Sequence, residues 1–589
     1  MITLQNFITP EQAICTEHSL YYQATGAVGF SESTGTYTLA PGATLGFKSY
    51  FNLFNLTKWN AACALENLVL EVTGAGQVEI RVTHARPERS WEILHCDIAS
   101  LDVDTPQQID ISHFSRHSAR GLIFVEFKAL EHAATLHHAR FATHMRPDTL
   151  PDLTVSITTF KREQQVRETV ARLEGFVKDF QFGSHVRVQV VDNGHSADIT
   201  PSKSVTPITN PNYGGAGGFA RGLLEAEKAG ASHCLFMDDD AAFHMENIAR
   251  AYVFLALAKD RNTAVSGAMI NNTHKWAMWE NGAYFDGSCH PLFCGVDLRD
   301  PNAVVVMEHK SARTNPPTLY GGWWFFAFAI DQVKHHPFPF FVRGDDISFS
   351  LMNDFRIHTL NGVVSFQDDF SEKESAQTLY LDLRNHLIHH LVSDKLTRSA
   401  FGTAKIALRF IMRSLLRFHY DSARAQLLAW QDVMRGPDFF DENIDMSERR
   451  ATIAKMMTTE IWQETDAADR PEHKRLTRLP RRIRHYLGLL TLNGHLVPFS
   501  ARMWDQITLG IGKRGLVFPA FGAARITYLN TAGDKSYTVT QSKRQFFSLG
   551  WQMAKTLWRW NRDYADIKAG YRSGYDTLTT RAYWEKKLG

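Results

Sequence analysis

The sequence predicts an α/β protein. A doubly wound, mostly parallel sheet is expected over residues 151–398, with an N-terminal β-sandwich over 1–150 and a mainly helical region over 399–589. Three observations carry this. Residues 1–150 hold short alternating apolar runs broken by Gly, Pro, Ser and Asn, such as 67–72 (NLVLEV), 78–82 (VEIRV) and 121–127 (GLIFVEF). That pattern suits a sandwich. Residues 151–398 alternate apolar strands with helical segments, the order of a doubly wound sheet. Beyond about residue 399 the spacing is mainly helical, with many Arg, Lys and Trp.

Each central element follows from its own pattern. Residues 153–159 (LTVSITT) read as a buried strand. Val166, Val170, Leu173 and Val177 recur at helical spacing and predict a helix over 162–179. A strand at 186–191, a Gly-rich turn, a helix through 220–229 and a strand at 234–237 complete the run. Ligands of such sheets bind beyond the carboxyl ends of the strands. Thr158, Thr159 and Phe160, then Asp192 and Asn193, then Asp238, Asp239 and Asp240 fall at those ends.

Composition bounds the function. The chain has 589 residues, enough for several domains. With 44% hydrophobic and 21% charged residues it reads as globular, and a net charge of +2 gives no case for nucleic-acid binding. No run of about 20 apolar residues is present, so no membrane-spanning helix is expected. The most apolar stretch, 320–330 (YGGWWFFAFAI), is too short. The N-terminus lacks a signal-peptide pattern, and the six cysteines form no CxxC pair, so neither a zinc site nor a disulfide scaffold is expected. A cytoplasmic location is the default.

The segment 236–243 reads FMDDDAAF. Clustered carboxylates raise one another's pKa unless a cation neutralises them. Mg²⁺ or Mn²⁺, completed by substrate phosphates, is the usual solution. Asp238 and Asp240 are the candidate ligands, and such an ion stabilises a departing diphosphate. The bland alternative is an acidic helix start. Upstream, Thr158, Phe160 and Arg162 offer a hydroxyl, a ring and a cation near the sheet edge. Asp192 and Asn193 offer polar edges to a base or ribose. The run 210–218 (NPNYGGAGG), with Asn212, Gly214, Gly215 and Gly217, suits a backbone approach to an anion at a helix N-terminus. Each piece alone is weak, and the order of all four makes the argument.

That order resembles glycosyltransferase family 2, with a GT-A fold. NPNYGGAGGFARG, FMDDDAAF, 321–326 (GGWWFF), 344–346 (GDD) and 383–385 (LRN) look most like the polymerising galactofuranosyltransferases of bacterial cell walls. Residues 49–54 (SYFNLF) and 492–498 (LNGHLVP) extend the likeness beyond the central region. The resemblance implies an inverting transfer from UDP-galactofuranose to a glycan acceptor, lipid-linked or free. Within it Asp346 is the base and Asp345 contacts a sugar hydroxyl. Asp239 joins the nucleotide site, Glu280 contacts donor or acceptor hydroxyls, and Trp323 and Trp324 stack on sugar. Helix capping competes for the Asp pair, and core packing for the tryptophans.

Two departures stand out. Where the family places a metal-binding His, residues 362–369 read GVVSFQDD. Gln367 could supply its amide oxygen, Asp368 could replace the His, or the aspartates and diphosphate could hold the metal alone. Gly344 stands where the family commonly has Trp. The basic segments 405–417 and 478–486 suit either packed helices or an anionic membrane surface. An aromatic-rich C-terminus permits a homo-oligomer. Three competing readings remain: a rhamnosyl or hexopyranosyl donor; a nucleotidyltransferase, which would need glycines that 158–162 lacks; and a non-enzymatic carbohydrate-binding protein, which leaves Asp238, Asp240 and Asp346 unexplained.

Overall fold

The computed structural model describes residues 1–112, 119–240, 242–368, 374–465 and 480–589. The chain is mixed α/β. Its N-terminal strands join one connected ten-stranded set, antiparallel at every pairing. The long strand Val69–Ala85 threads it, pairing first with Ala134–Thr143 and then with Leu122–Ala129. It changes partner around Gly76, whose φ of +96° suits glycine.

The central sheet has eight strands. We label β1 Leu153–Thr159, β2 Val186–Asp192, β3 Val205–Thr209, β4 His233–Asp238, β5 Thr263–Asn271, β6 Met278–Glu280, β7 Phe326–Ala329 and β8 Arg356–Gln367. The order is β3-β2-β1-β4-β7-β5-β6, with β8 on β5. β1 to β4 are parallel, β7 is antiparallel to both β4 and β5, and β8 is parallel to β5. The carboxyl ends of β1, β2, β4 and β8 therefore share one edge. Register aligns Thr159 with Asp192, and Thr158 with Asp238.

β3 is an element the sequence reading lacked. Pro207 and exposed polar positions disguise it, and both are tolerated because it lies at the sheet edge. Helix α1 (Glu163–Asp179) buries Val166, Val170, Leu173 and Val177, as its spacing predicts. Helix α2 begins earlier than expected, running Gly214–Lys228, so the Gly-rich run forms its first turns rather than a loop before it. Space explains those glycines. A Cβ on Gly218 would lie 2.2 Å from Thr158 Cγ2, and one on Gly222 1.9 Å from Ser156 Oγ. α2 thus rides directly on β1.

Helix α3 (Glu246–Leu257) is almost wholly buried between the N-terminal strands and the central sheet. Its Arg250 donates to the carbonyls of Asn6 (2.7 Å), Phe51 (3.0 Å) and Asn361 (2.8 Å). One hydrophobic core runs without a break from Ile2 to Phe366.

A second core forms around Phe338 and Phe340. It contains helices α5 (Ala376–Val392), α6 (Ala400–Leu416), α7 (Tyr420–Val433) and α9 (Lys543–Leu578), following α4 (Asp345–Met352) and flanked by α8 (Ser447–Met456) and α10 (Arg581–Leu588). Besides these helices the C-terminal region carries a four-stranded sheet, Gln463–Glu464, Asp505–Gly510, Ala523–Leu529 and Lys535–Thr540, which its mainly helical spacing did not announce. α10 returns to the central unit: Arg221 Nη1 donates to Leu588 O at 2.9 Å, and Trp584 Nε1 to Pro337 O at 2.8 Å. Among the described residues no helix is long and apolar enough to cross a membrane.

Candidate active site

At the carboxyl edge lies a cavity of about 440 Å³. Its wall includes Thr158, Phe160, Arg162, Asn193, Asn212, Gly214, Gly215, Asp238, Asp239, Asp240 and Gln367. These residues come from positions far apart in sequence, and parallel register brings them together.

The aspartates differ in environment. Asp239 is buried and accepts from Thr159 Oγ1 at 2.6 Å, with Arg162 Nη1 at 3.4 Å. Burial raises its pKa against the opposing effects of Thr159 and Arg162. Asp240 pairs closely with Arg162. Asp238 ends β4 and faces the same cavity. The loop after them is clamped to β8, since Ala242 and Phe366 exchange backbone hydrogen bonds at 3.2 and 2.8 Å. That clamp sets Gln367, the next residue of β8, in the cavity wall with Asp240.

Could these residues hold a cation? Among the described residues no three His, Cys, Asp or Glu side chains form a ready metal cluster. The carboxylates of Asp238 and Asp240 and the amide of Gln367 share the cavity wall, and the buried Gln367 Nε2 has no hydrogen-bond partner among the described residues. Oxygen donors of this kind suit Mg²⁺ or Mn²⁺ with substrate phosphates completing the shell. Asp368 instead accepts from Asn272 Nδ2 at 3.1 Å and does not line the cavity.

Several expected residues have other tasks. Asp192 is not in the cavity wall; its carboxylate accepts from the amides of Gly194, Ser196 and Ala197, each at 2.8 Å, and so folds its own loop. Asn193 joins the strand ends to α2, donating to Gly214 O at 3.0 Å and accepting from Asn210 Nδ2 at 2.8 Å. Gly217 is absent from the wall and packs on Tyr213, where an added Cβ would lie 2.4 Å from the tyrosine Cβ. Trp323 is only 5% exposed and packs edge-on to Phe219, Phe236 and Phe349. Trp324 donates Nε1 to Gly267 O at 2.9 Å. Both tryptophans are core residues here and neither lines the cavity, the outcome their large apolar surface favours.

Asp345 and Asp346 open α4 after Gly344, whose φ is +78°. A Cβ at Gly344 would lie 2.7 Å from His389 Nε2, so neither the backbone nor the space admits a larger residue. The preceding loop is held from α5: Arg384 donates to Phe340 O, and Asn385 Nδ2 donates to Val342 O (3.0 Å) and Arg343 O (2.6 Å). The LRN segment thus positions the Asp pair. None of Asp345, Asp346 and Glu280 lines the cavity itself; Asp345 stands next to it, since a Cβ on the lining Gly215 would lie 3.4 Å from its Oδ2. Burial and the charges of Asp346 and Asp238 raise its pKa well above the carboxylate range. Burial pushes Asp346 up to about 6, tempered by its bond from Ile347 N (2.8 Å). Glu280, at the end of β6, is buried and pushed up to about 8 by burial and by Asp346. Asp345 and Glu280 therefore both lie in the field of Asp346, and Glu280 is raised further than Asp346, the condition for distinct acid and base roles.

No family model matches the chain. It is 23% identical to galactofuranosyltransferase GlfT2 of Mycobacterium tuberculosis over 92% of this chain and 90% of that protein. It is 24% identical to GlfT2 of Mycolicibacterium smegmatis over 68% of this chain and 65% of that protein. The chain is a glycosyltransferase. A solved mannosyltransferase from Pyrobaculum calidifontis, in complex with GDP-Man and Mn²⁺, matches at TM-score 0.29 and 17% identity over 49% of this chain and 76% of that one. So low a score carries no argument about this transferase's site.

The transferase's cavity also contains residues that sequence reasoning missed: Phe219, Phe341, Val342, Gln377 and Arg450. Phe341 and Arg343 adopt positive φ (both +74°), which places the loop before the Asp pair in an uncommon conformation at the site. No local pattern announces Gln377 or Arg450, which come from α5 and α8.

Proposed function

We propose that the protein transfers galactofuranose, with inversion, from UDP-galactofuranose to a glycan acceptor. The supporting observation is the shared edge: Asp238 and Asp240 lie in the cavity that Asp345 borders, and the Asp345–Asp346 pair couples electrostatically to Asp238 on one side and Glu280 on the other. The donor sits in the cavity, its diphosphate toward Asp238, Asp240 and the start of α2. A Mg²⁺ or Mn²⁺ ion held by Asp238, Asp240 and Gln367 would stabilise the departing UDP. Asp346 accepts the proton of the acceptor hydroxyl as its oxygen bonds to the anomeric carbon and the bond to the diphosphate breaks. Asp345 and Glu280, both pushed toward the protonated form, hydrogen-bond sugar hydroxyls. In this reading residues 151–398 are the catalytic domain with a GT-A layout, and residues 1–150 are a carbohydrate-binding-like sandwich.

The reading extends to location. Of the two basic segments, Arg409 and Arg413 in α6 donate to the carbonyls of Gly287 and Gly515, so 405–417 is packed. In the other segment, Arg478 and Leu479 lie outside the described residues. Helix Arg481–Leu490 and its surroundings expose Leu490 (77%), Phe499 (73%), Tyr486 and Phe518. Apolar side chains beside arginines suit a peripheral contact with an anionic membrane surface. That arrangement would present the site to a lipid-linked acceptor.

The test is Asp346→Asn. Transfer is expected to fall about 10²–10⁴-fold, the usual contribution of a general base, with UDP affinity retained. Loss of UDP binding in parallel with transfer would place Asp346 in the donor site instead.

A further inference from the structure

We infer that Arg450, carried by the C-terminal helix α8, binds the donor diphosphate, so that the C-terminal region completes the donor site. The inference rests on the donor reading above. The cavity wall holds three carboxylates, Asp238, Asp239 and Asp240, and two guanidinium groups, Arg162 and Arg450. Arg162 is already engaged by Asp239 and Asp240. The neighbouring Arg449 is likewise taken, by Asp432 at 2.8 Å. Arg450 differs. Its Nη2 donates to the backbone carbonyl of Asp445 at 3.1 Å, and its guanidinium lies 5.4 Å from the centre of the Phe341 ring. No ion pair to a carboxylate is found for it among the described residues. A guanidinium has five N–H donors, so most of this cation's capacity remains for a ligand.

The surroundings select the ligand. Phe341, on which Arg450 rests, accepts through its carbonyl from Ala216 N at 3.1 Å, in the first turn of α2. A Cβ on Gly214 would lie 2.1 Å from that same oxygen. One residue thus spaces the guanidinium from the amino end of a 15-residue helix. Both groups favour an anion, and the planar fork of Arg matches two phosphate oxygens. The neutral Gln367 adds no positive charge to the wall. A nucleoside diphosphate entering among three carboxylates therefore needs this cation more than a neutral ligand would.

The experiment compares full-length wild type, Arg450→Gln and Arg450→Lys by calorimetric titration with UDP, UMP and uridine at fixed Mg²⁺. Melting temperatures are measured without ligand. For Arg450→Gln, UDP affinity should drop roughly tenfold or more, since bonds to a charged group are among the stronger ones. UMP should lose less, and uridine should be unaffected. Arg450→Lys should recover part of the UDP affinity, with unchanged melting temperature throughout. Equal UDP affinity in wild type and Arg450→Gln would overturn the inference and leave the donor reading intact. Equal losses for UDP and uridine would show a structural role and overturn it too. A wild type that binds no uridine nucleotide would overturn the donor reading, and this inference with it.

Discussion

Asp346 is mostly ionised at pH 7, yet basic enough to accept a proton, because burial pushes its pKa up to about 6. kcat/KM should therefore fall as pH drops through about 6, by roughly tenfold between pH 7 and pH 5. A profile flat to pH 5 would contradict the assignment of the base. Glu280 gives a prediction on stability. Its folded pKa of about 8 lies above its ordinary value of 4.5. Folding thus favours the protonated acid. The contribution is full below pH 4.5 and is lost as pH rises through about 8. Relative to wild type, Glu280→Gln should gain stability across that window, on the order of a few kcal/mol at most, in melting curves taken from pH 5 to pH 9. A pH-independent difference would contradict the raised pKa. At this scale the sequence was partly legible. Asp238 to Asp240 and the Asp345–Asp346 pair announce themselves because clustered carboxylates at strand and helix ends repel one another unless something neutralises them. Asp192 and the tryptophans do not, since the amides of Gly194, Ser196 and Ala197 and the rings around Trp323 become visible only in three dimensions.

Among the elements, α2 and the loop before α4 hold the site. Gly222 of α2 faces Ser156, and its substitution by Ala would place a Cβ 1.9 Å from Ser156 Oγ. Helix and strand must then separate, costing about 1–3 kcal/mol by analogy with overpacked cores. A midpoint of denaturant unfolding unchanged in Gly222→Ala would contradict the close approach. Strands and helices with clear periods were legible, as in α1. β3 was not, because an edge strand tolerates Pro207 and exposes its polar residues. The start of α2 was also hidden, since glycine usually breaks helices and here is required by the proximity of β1. Gly344, a departure from the resembled family, finds its reason in a positive φ and in His389.

At the scale of the whole molecule, the regions are bound by shared cores and buried polar links. Lys58, from helix Leu56–Cys63 near the N-terminal strands, pairs with Glu308 at 3.0 Å, and both are buried. Lys58→Met should destabilise by about 3–5 kcal/mol because an uncompensated carboxylate remains inside. Replacing Glu308 with Gln as well should return much of that loss, and additive losses would contradict the coupling. Sequence composition suggests three regions but gives no sign of their union, because the continuous core from Ile2 to Phe366 and the reach of Arg450 into the central cavity depend on packing between distant segments. The central claim is the donor and its chemistry. The direct measurement is UDP release from UDP-galactofuranose, UDP-galactopyranose and UDP-glucose with a galactan-type acceptor, with and without Mn²⁺. The account predicts turnover of UDP-galactofuranose that depends on the metal. Turnover only with a pyranose donor, or with no UDP-sugar at all, would contradict it.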